Sequence, residues 1–556
     1  MSRGQSAQNR LLTGGGLAAL ALAAACGNAP PRTAPAPEPT PKHAPPPAVP
    51  APHPSVSRTP LPPSNPNLPP VPSVMGPLDI KVVYPSRNAL IASRDSNFIF
   101  GSLGNGAAGL EINGNPVPVW PNGAFMGWIP NPPADSQWYD LEAYTLADTV
   151  RLRYPVRTRS GVAAERRAKG RVEPARLPEI TKLEPAIVAT LRNDSLDRAV
   201  SDTDNIIIGR PTPTGDYKWF LLPGTRVRAL EYRDDMARVQ LDGGQDIWVS
   251  RRDVKPSARS NMPALKLNDA LMSASSTAVQ FDFHIETPPA YVVGEEDSAL
   301  TLTFYNVSGS AKLAPIPDSL ISDVTQSQQT SRTVFHIALT RPLYGYQVLY
   351  ENGVFKFIVR RPPVVDAAAP LRGMTIVVDP GHPPIGATGP TGLWEPVATL
   401  AVGLRIQLLL EEKGAKVVMT RTTAAPVALG DRPIIARRAN ADAFVSIHLN
   451  AVADGQDPFR DNGTGTYYFH PQSKLFARDI QDALVPELGL HDRGIFYQNL
   501  AVCRPTWFPS VLAEGVFIIM PDQEAAIRTP EYQEAYARGI VNGLEKYFAT
   551  FARSKP

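Results

Sequence analysis

Four ionisable side chains in the last third of this 556-residue chain have the types and settings that hydrolytic chemistry needs. His382 follows the strand-like run "TIVVD" at a Pro-Gly turn, His448 ends "AFVSI" and Glu514 ends "PSVLA". Glu395 stands thirteen residues beyond His382, at the mouth of a helix. Two imidazoles and one carboxylate around an open position form the donor set of a catalytic zinc ion. The remaining carboxylate is then free to act as base. In that role Glu514 would take a proton from water and return it to a leaving amine, the chemistry of metal-assisted amide hydrolysis. Asn450 in "SIHLNA" is placed to orient water or substrate. His470 and His491 sit in "YYFHPQS" and "LGLHDRG", which read as loop entries and not as ligand positions. His284 and His336 fall inside upstream strands and read as packing or solvent-facing residues.

The elements that must position these groups begin at Gly373, where the pattern changes to alternation of strands and helices. "TIVVD", "KVVMT", "AFVSIH", "GTYYF" and "PSVLAE" read as strands. "PVATLAVGLRIQLLLEEKG" reads as a helix with Pro396 in its first turn and Gly414 as its stop. Its periodicity assigns Val397, Leu400, Ala401, Leu404 and Leu408 to one apolar face. A second helix covers "DRPIIARRANA" with Asp431 as N-cap, a third runs from Ser473 to Leu484, and "PEYQEAYARGIVNGLEKYFATF" closes the chain. Such alternation predicts an α/β fold with a largely parallel sheet, whose carboxyl edge is where ligands bind.

The residues "IVVDPGH", the glutamate thirteen positions on, "TR" at Thr420, "RPIIARRANADAFVSIHLNA", "GTGTYYF", "DRG" at Asp492 and "PSVLAEGVF" occur in the order found in zinc-dependent N-acetylmuramoyl-L-alanine amidases. The resemblance covers about Met374 to Phe548. It implies a Rossmann-like α/β domain holding one zinc ion through His382, Glu395 and His448, with Glu514 as catalytic glutamate. Arg421 and Arg493 are carried over as groups that support the ligands or contact the substrate, beside Asn450. The implied reaction is cleavage of the amide between N-acetylmuramic acid and the L-alanine of the peptidoglycan stem. The chain departs from the family pattern at Pro396, at Met520 and in lacking an aspartate after Arg421. These positions bear on substrate contacts, as do Trp394 and the proline-rich loop 383–390, which reshape the groove. No long helical insert stands between His448 and Glu514, so any control by a protein activator or by autoinhibition must act from elsewhere. Two other readings are compatible with the same residues: a wall-binding or regulatory protein with an inactive domain, and a zinc peptidase acting within stem peptides.

The rest of the chain is multidomain. Residues 1–26 carry Arg3 and Arg10, an apolar run and Cys26, the layout of an export signal. "LALAAACGN" resembles a lipoprotein lipobox, which implies lipidation of Cys26, a lipid anchor to the membrane and a place in the cell envelope, in the periplasm. Twenty of the 59 prolines fall between Pro30 and Pro77, so residues 27–77 read as a disordered, extended tether. Residues 78–156 show strand runs with an Asn113-Gly114 hairpin cue and resemble an immunoglobulin-like β-sandwich. A basic linker (157–200), an SH3-like barrel (201–257) and a second β-sandwich (262–362) resembling the AMIN-type modules of wall amidases precede the zinc amidase domain (372–552). With 55 basic against 52 acidic residues, no overall field draws the chain to nucleic acid. Cys503 is the sole cysteine besides Cys26, so a lipidated Cys26 leaves no intramolecular disulfide.

Overall fold

The structure is a computed structural model that describes residues 59–63, 65–168, 179–192, 201–202, 206–257, 261–311, 313 and 317–552. The export signal, Cys26 and most of the proline-rich stretch lie outside the described residues. Among those described, no helix is long and apolar enough to cross a membrane.

The C-terminal domain is built on a six-stranded sheet. In chain order its elements are β1 (Thr375–Pro380), α1 (Glu395–Glu412), β2 (Lys416–Met419), α2 (Asp431–Arg438), β3 (Ala443–Asn450), β4 (Thr464–Tyr468), α3 (Lys474–Leu488), β5 (Asp492–Tyr497), β6 (Ser510–Phe517), α4 (Pro521–Ile527) and α5 (Pro530–Ala552). The strand order is β2-β1-β3-β6-β4-β5. β2, β1, β3 and β6 run parallel, whereas β4 and β5 are parallel to each other and antiparallel to β6. The sheet is therefore mixed, with a parallel centre. Ile376, Val377 and Val378 are fully buried, as a strand covered on both faces requires. β2 and β3 lie on opposite sides of β1, which opens a crevice at the carboxyl ends of β1 and β3.

Three expectations change here. α1 buries Ala398, Val402, Ile406 and Leu410, while Val397, Leu404 and Leu408 are 56%, 37% and 61% exposed. The helix is apolar around most of its circumference, so periodicity alone picks the wrong face. Gly403 marks the right one, because a Cβ there would stand 2.6 Å from Cγ of Pro380. Asp431 is the first residue of α2 and not its cap; Gly430 occupies the cap position. β5 and α4 were not anticipated, since both are short and follow loop-like sequence. Pro396 and Gly414 do bracket α1, the latter at φ +80° beyond the Lys413 cap.

Residues 59–168 and 363–552 belong to one compact unit. Within it, two β-sheets (Lys81–Tyr84, Ser96–Ser102 and Ala124–Pro130; Asn115–Val117, Gly109–Ile112, Trp138–Tyr144 and Thr149–Pro155) form the N-terminal β domain. Asn113 and Gly114, both at positive φ, close the hairpin that pairs Ile112 with Asn115. Phe98, Phe100, Trp120, Ala124 and Met126 share a single apolar core with β1, α1, β3, β6 and α5 of the C-terminal domain. Leu68 and Val71, from the stretch read as tether, pack on that core, and Asn65 Nδ2 donates to the Gly489 carbonyl at 2.7 Å.

The second unit spans described residues 179–362. Gln245–Ser250, Met236–Asp242, Arg226–Arg233, Ile180–Leu191 and Val254–Pro256 form an antiparallel sheet. Ile180–Leu191 lies in the stretch expected to be linker, which also contributes the helix Arg159–Ala168 to the first unit. Only the end of that strand is buried, at Val188, Ala189 and Leu191, so its exposed, charged first half reads as linker. Two further sheets, one centred on Val354–Arg360 and one on Ala299–Tyr305, face each other across a core rich in phenylalanine. The same core includes Trp219 and Val227, so the two parts of this unit are fused, and Arg332 Nε binds buried Asp242 at 2.6 Å between them.

Candidate active site

β1 ends in Asp379-Pro380, and the chain turns through Gly381 to His382, which adopts φ +59°. Gly381 is required by close packing: a Cβ would lie 2.5 Å from His448 Nε2. His448 occupies the sixth position of β3, and Glu395 is the first residue of α1, where the helix N-terminus favours an anion. Their ligand atoms all lie within 4.8 Å of one another. His382 Nε2 is 3.2 Å from Glu395 Oε2, His448 Nδ1 is 3.3 Å from Glu395 Oε1, and the two rings meet edge to face at 4.7 Å. Glu395 also accepts N–H bonds from Ala387 (2.9 Å) and Leu449 (3.0 Å), so backbone fixes both its oxygens. Burial alone would raise the Glu395 carboxyl, but the charges and hydrogen bonds of the His382 and His448 imidazoles outweigh it and hold it far below the usual carboxylate range. Burial pushes His448 down, toward the neutral form that ligates metals. Two imidazole nitrogens and one carboxylate, convergent and shielded, fit a zinc ion.

Glu514 lies directly opposite His448 in the parallel β3–β6 pairing, and side chains at paired positions point to the same face. Its Oε2 is enclosed and has no hydrogen-bond partner among the described residues. Burial, reinforced by the charge of Glu395, pushes this carboxyl well above its ordinary value, while Arg493 opposes the shift. A carboxylate so placed is suited to taking and releasing a proton. Arg493 stacks over Phe496 and Phe517 at 5.4 and 5.1 Å. Arg493 and Asn450 both lie close enough to the Tyr467 side chain to influence its hydroxyl. Asn450 Oδ1 additionally accepts the Ala451 N–H at 2.8 Å. Asn450, Arg493 and Tyr467 therefore form a polar wall beside Glu514.

Arg421 has a different place. It is buried, and its donors go to the carbonyls of Pro380 (2.9 Å), Gly381 (3.0 Å), Pro396 (2.9 Å) and Thr423 (3.0 Å) and to Thr399 Oγ1 (3.0 Å). Burial and the neighbouring Arg432 lower its pKa to about 10. Through these contacts it braces the turn that carries His382. His470 Nε2 donates to the Arg504 carbonyl at 2.8 Å, and neither it nor exposed His491 joins the cluster.

Sequence reasoning missed the groups that hold this arrangement. Buried Arg432 pairs with Asp379 at 2.6 Å and donates to the carbonyls of Pro380 (3.0 Å), His382 (3.0 Å), Pro383 (3.3 Å) and Val427 (3.1 Å). Asp379 also accepts from Thr420 Oγ1 (2.5 Å) and Ser446 Oγ (2.6 Å). The Tyr536 hydroxyl accepts the Gly515 N–H at 2.9 Å and lies 2.9 Å from the Ala513 carbonyl, which ties α5 to the strand of Glu514. Glu524 accepts N–H bonds from Thr391 (2.9 Å) and Leu393 (3.0 Å), shaping the loop that enters Glu395. The available signal was an acid or arginine set inside an apolar run, as in "TIVVDP" and "DRPIIARR".

Comparison with known proteins agrees with the position of this site. The family model for N-acetylmuramoyl-L-alanine amidase (Amidase_3) matches residues 376–546. The uncharacterized protein YqiI of Bacillus subtilis is 37% identical over 193 residues, which cover 34% of this chain and 90% of YqiI. The probable cell wall amidase LytH of Staphylococcus epidermidis is 34% identical over 185 residues, 33% of this chain, and the match spans only 60% of LytH. Among solved structures, the N-acetylmuramoyl-L-alanine amidase of Clostridium difficile 630 aligns at 32% identity over 33% of this chain and 100% of its own, with a TM-score of 0.30.

Proposed function

The chain belongs to the N-acetylmuramoyl-L-alanine amidase family, and we propose that it is a zinc enzyme that hydrolyses the amide between the lactyl group of N-acetylmuramic acid and L-alanine in peptidoglycan. The observation that carries this reading is the convergence of His382, Glu395 and His448 within 4.8 Å, with Glu514 in register opposite His448. A zinc ion held by those three residues supplies a Lewis acid for the amide carbonyl and makes water more acidic. Glu514 takes the proton of the attacking water and delivers it to the L-alanine nitrogen as the C–N bond breaks. Asn450, Arg493 and Tyr467 bind and orient the substrate beside that carboxylate. Arg421, Arg432 and Glu524 keep the His382 turn and the Glu395 loop in place. The export signal, lipidated Cys26 and proline-rich tether extend this reading to an enzyme anchored at a membrane and working on the wall in the cell envelope.

The test uses the full mature chain, because the N-terminal β domain shares the catalytic domain's core. Peptidoglycan is incubated with the protein with and without a zinc chelator, and released fragments are identified by mass spectrometry. Chelator-sensitive release of whole stem peptides with a free L-alanine amine is the expected result. Cuts inside the stem would favour a peptidase. Absence of release with zinc bound would favour a binding protein.

A further inference from the structure

The loop 451–463 leaves β3 immediately after Asn450 and returns as β4 at Thr464. In the sheet β6 lies between β3 and β4, with Glu514 paired to His448 on one side and Gly465 on the other. The loop therefore spans the carboxyl end of the strand that carries Glu514. One end of it is held from within the catalytic domain, where Gln523 Nε2 donates to Asn462 Oδ1 at 2.9 Å.

The other end is held by the N-terminal β domain. The Asp454 carboxylate accepts the Tyr84 hydroxyl, the Ala92 N–H at 2.7 Å and Asn97 Nδ2 at 3.2 Å. Fully buried Asn97 returns the contact, its Oδ1 accepting the Gly455 N–H at 3.1 Å. Gly455 adopts φ +83°, and a Cβ there would come within 3.0 Å of Ser93 Cβ. Each of the three donors to this carboxylate comes from a segment some 360 residues earlier in the chain.

We infer that the N-terminal β domain is a working part of the hydrolase, and that Asp454 is the positioning residue through which it sets the loop spanning the Glu514 strand. The inference rests on the amidase reading for its kinetic arm only. Asp454 touches no reacting atom; it fixes one end of a loop whose displacement would move Asn450, at its start, and β4, the strand that follows it and carries Tyr467, relative to Glu514. Misplacement of about 1 Å in such a wall costs on the order of a hundredfold in rate.

Asp454→Ala and the milder Tyr84→Phe are made in the full chain and compared with wild type. Zinc content, kcat and KM on soluble peptidoglycan fragments, and hydrogen exchange are measured, together with trypsin cleavage after Arg460, whose side chain is 86% exposed. Expected are unchanged zinc, a fall in kcat/KM of about tenfold to a hundredfold for Asp454→Ala and a smaller fall for Tyr84→Phe. Faster exchange should be confined to 451–463, with faster cutting at Arg460. Exchange unchanged at 451–463, with kcat/KM within twofold of wild type, would overturn the inference. So would exchange raised throughout the catalytic unit with loss of zinc in both variants, which marks a merely structural contact. If wild type itself releases no stem peptide, the amidase reading fails, and the exchange contrast alone decides whether Asp454 sets the loop.

Discussion

Replacing Arg432 by methionine tests how the histidine turn is held. Methionine keeps much of the side chain's volume while removing every donor. The structure gives Arg432 a 2.6 Å ion pair with fully buried Asp379 and four backbone carbonyls, one of them that of His382. Leaving one member of a buried pair without its partner costs about 3–5 kcal/mol. Asp379 keeps the hydroxyls of Thr420 and Ser446, so the lower end, about 3 kcal/mol, is expected. Set against a typical domain stability of about 5–15 kcal/mol, the variant should still fold. Because Arg432 holds the carbonyl of His382, zinc affinity should also fall, by about 10- to 100-fold. Chelator competition reads the affinity and urea unfolding reads the stability, both on the full chain. Adding Asp379→Asn should restore part of the loss, since the stranded charge is gone, with a coupling on the order of 1 kcal/mol or more. Stability within about 0.5 kcal/mol of wild type and zinc affinity within twofold would refute the role given to Arg432.

Glu514→Gln should keep zinc yet lose about 10²- to 10⁴-fold in hydrolysis, whereas His382→Ala should lose zinc as well; metal analysis beside the peptidoglycan assay separates the two, and full zinc content in His382→Ala would remove it from the ligand set. On α1, Leu408→Lys should change stability by less than about 0.5 kcal/mol while Ile406→Ala costs about 2–5 kcal/mol. Equal losses in thermal or urea unfolding would contradict the face described for that helix. Asp242 supplies a pH dependence in the second unit. Burial raises its carboxyl, but donors from Arg332, Gly244 and Ser331 outweigh burial and hold it below the usual value. Its stabilising contribution is therefore complete above about pH 4, the unfolded carboxylate value, and is lost as pH falls through the lower folded value. Asp242→Asn should flatten the fall of that unit's unfolding midpoint below about pH 4, and an unchanged acid slope would count against the pair.

The site was far more legible in the sequence than its supports. His382, His448 and Glu514 follow or end apolar strand runs, and strand ends on an α/β sheet converge by topology, so type and placement were enough. Glu395 was legible from its place at the mouth of the helix that follows His382, although a glutamate opening a helix is ordinarily a response to the helix dipole. Arg421, Arg432 and Glu524 act on backbone carbonyls and N–H groups, and Asp379 on the side chains of Arg432, Thr420 and Ser446, all of which come into place only after folding. Of these only Arg421 was named, and that through the resemblance. The orientation of α1 failed for a related reason: a helix with leucine or valine on several sides carries no contrast for periodicity to read, and only Gly403 encodes the close approach of Pro380. The partnership of the β domain with the catalytic domain was invisible because Phe98, Trp120 and Met126 are equally good core residues for a free-standing sandwich.

That shared core bears on how the protein responds to proteolysis. The two halves of the catalytic unit flank residues 179–362 in sequence, so a single nick within the intervening stretch would divide the polypeptide without setting the hydrolase domain free. Phe98, Phe100, Trp120 and Met126 would have to leave their partners before the fragments separated, uncovering apolar surface on both. Shedding the N-terminal half is thus a route to inactivation and not to release of a smaller active enzyme, and a nicked sample that runs as two bands under denaturing conditions should still migrate as one species in its native state.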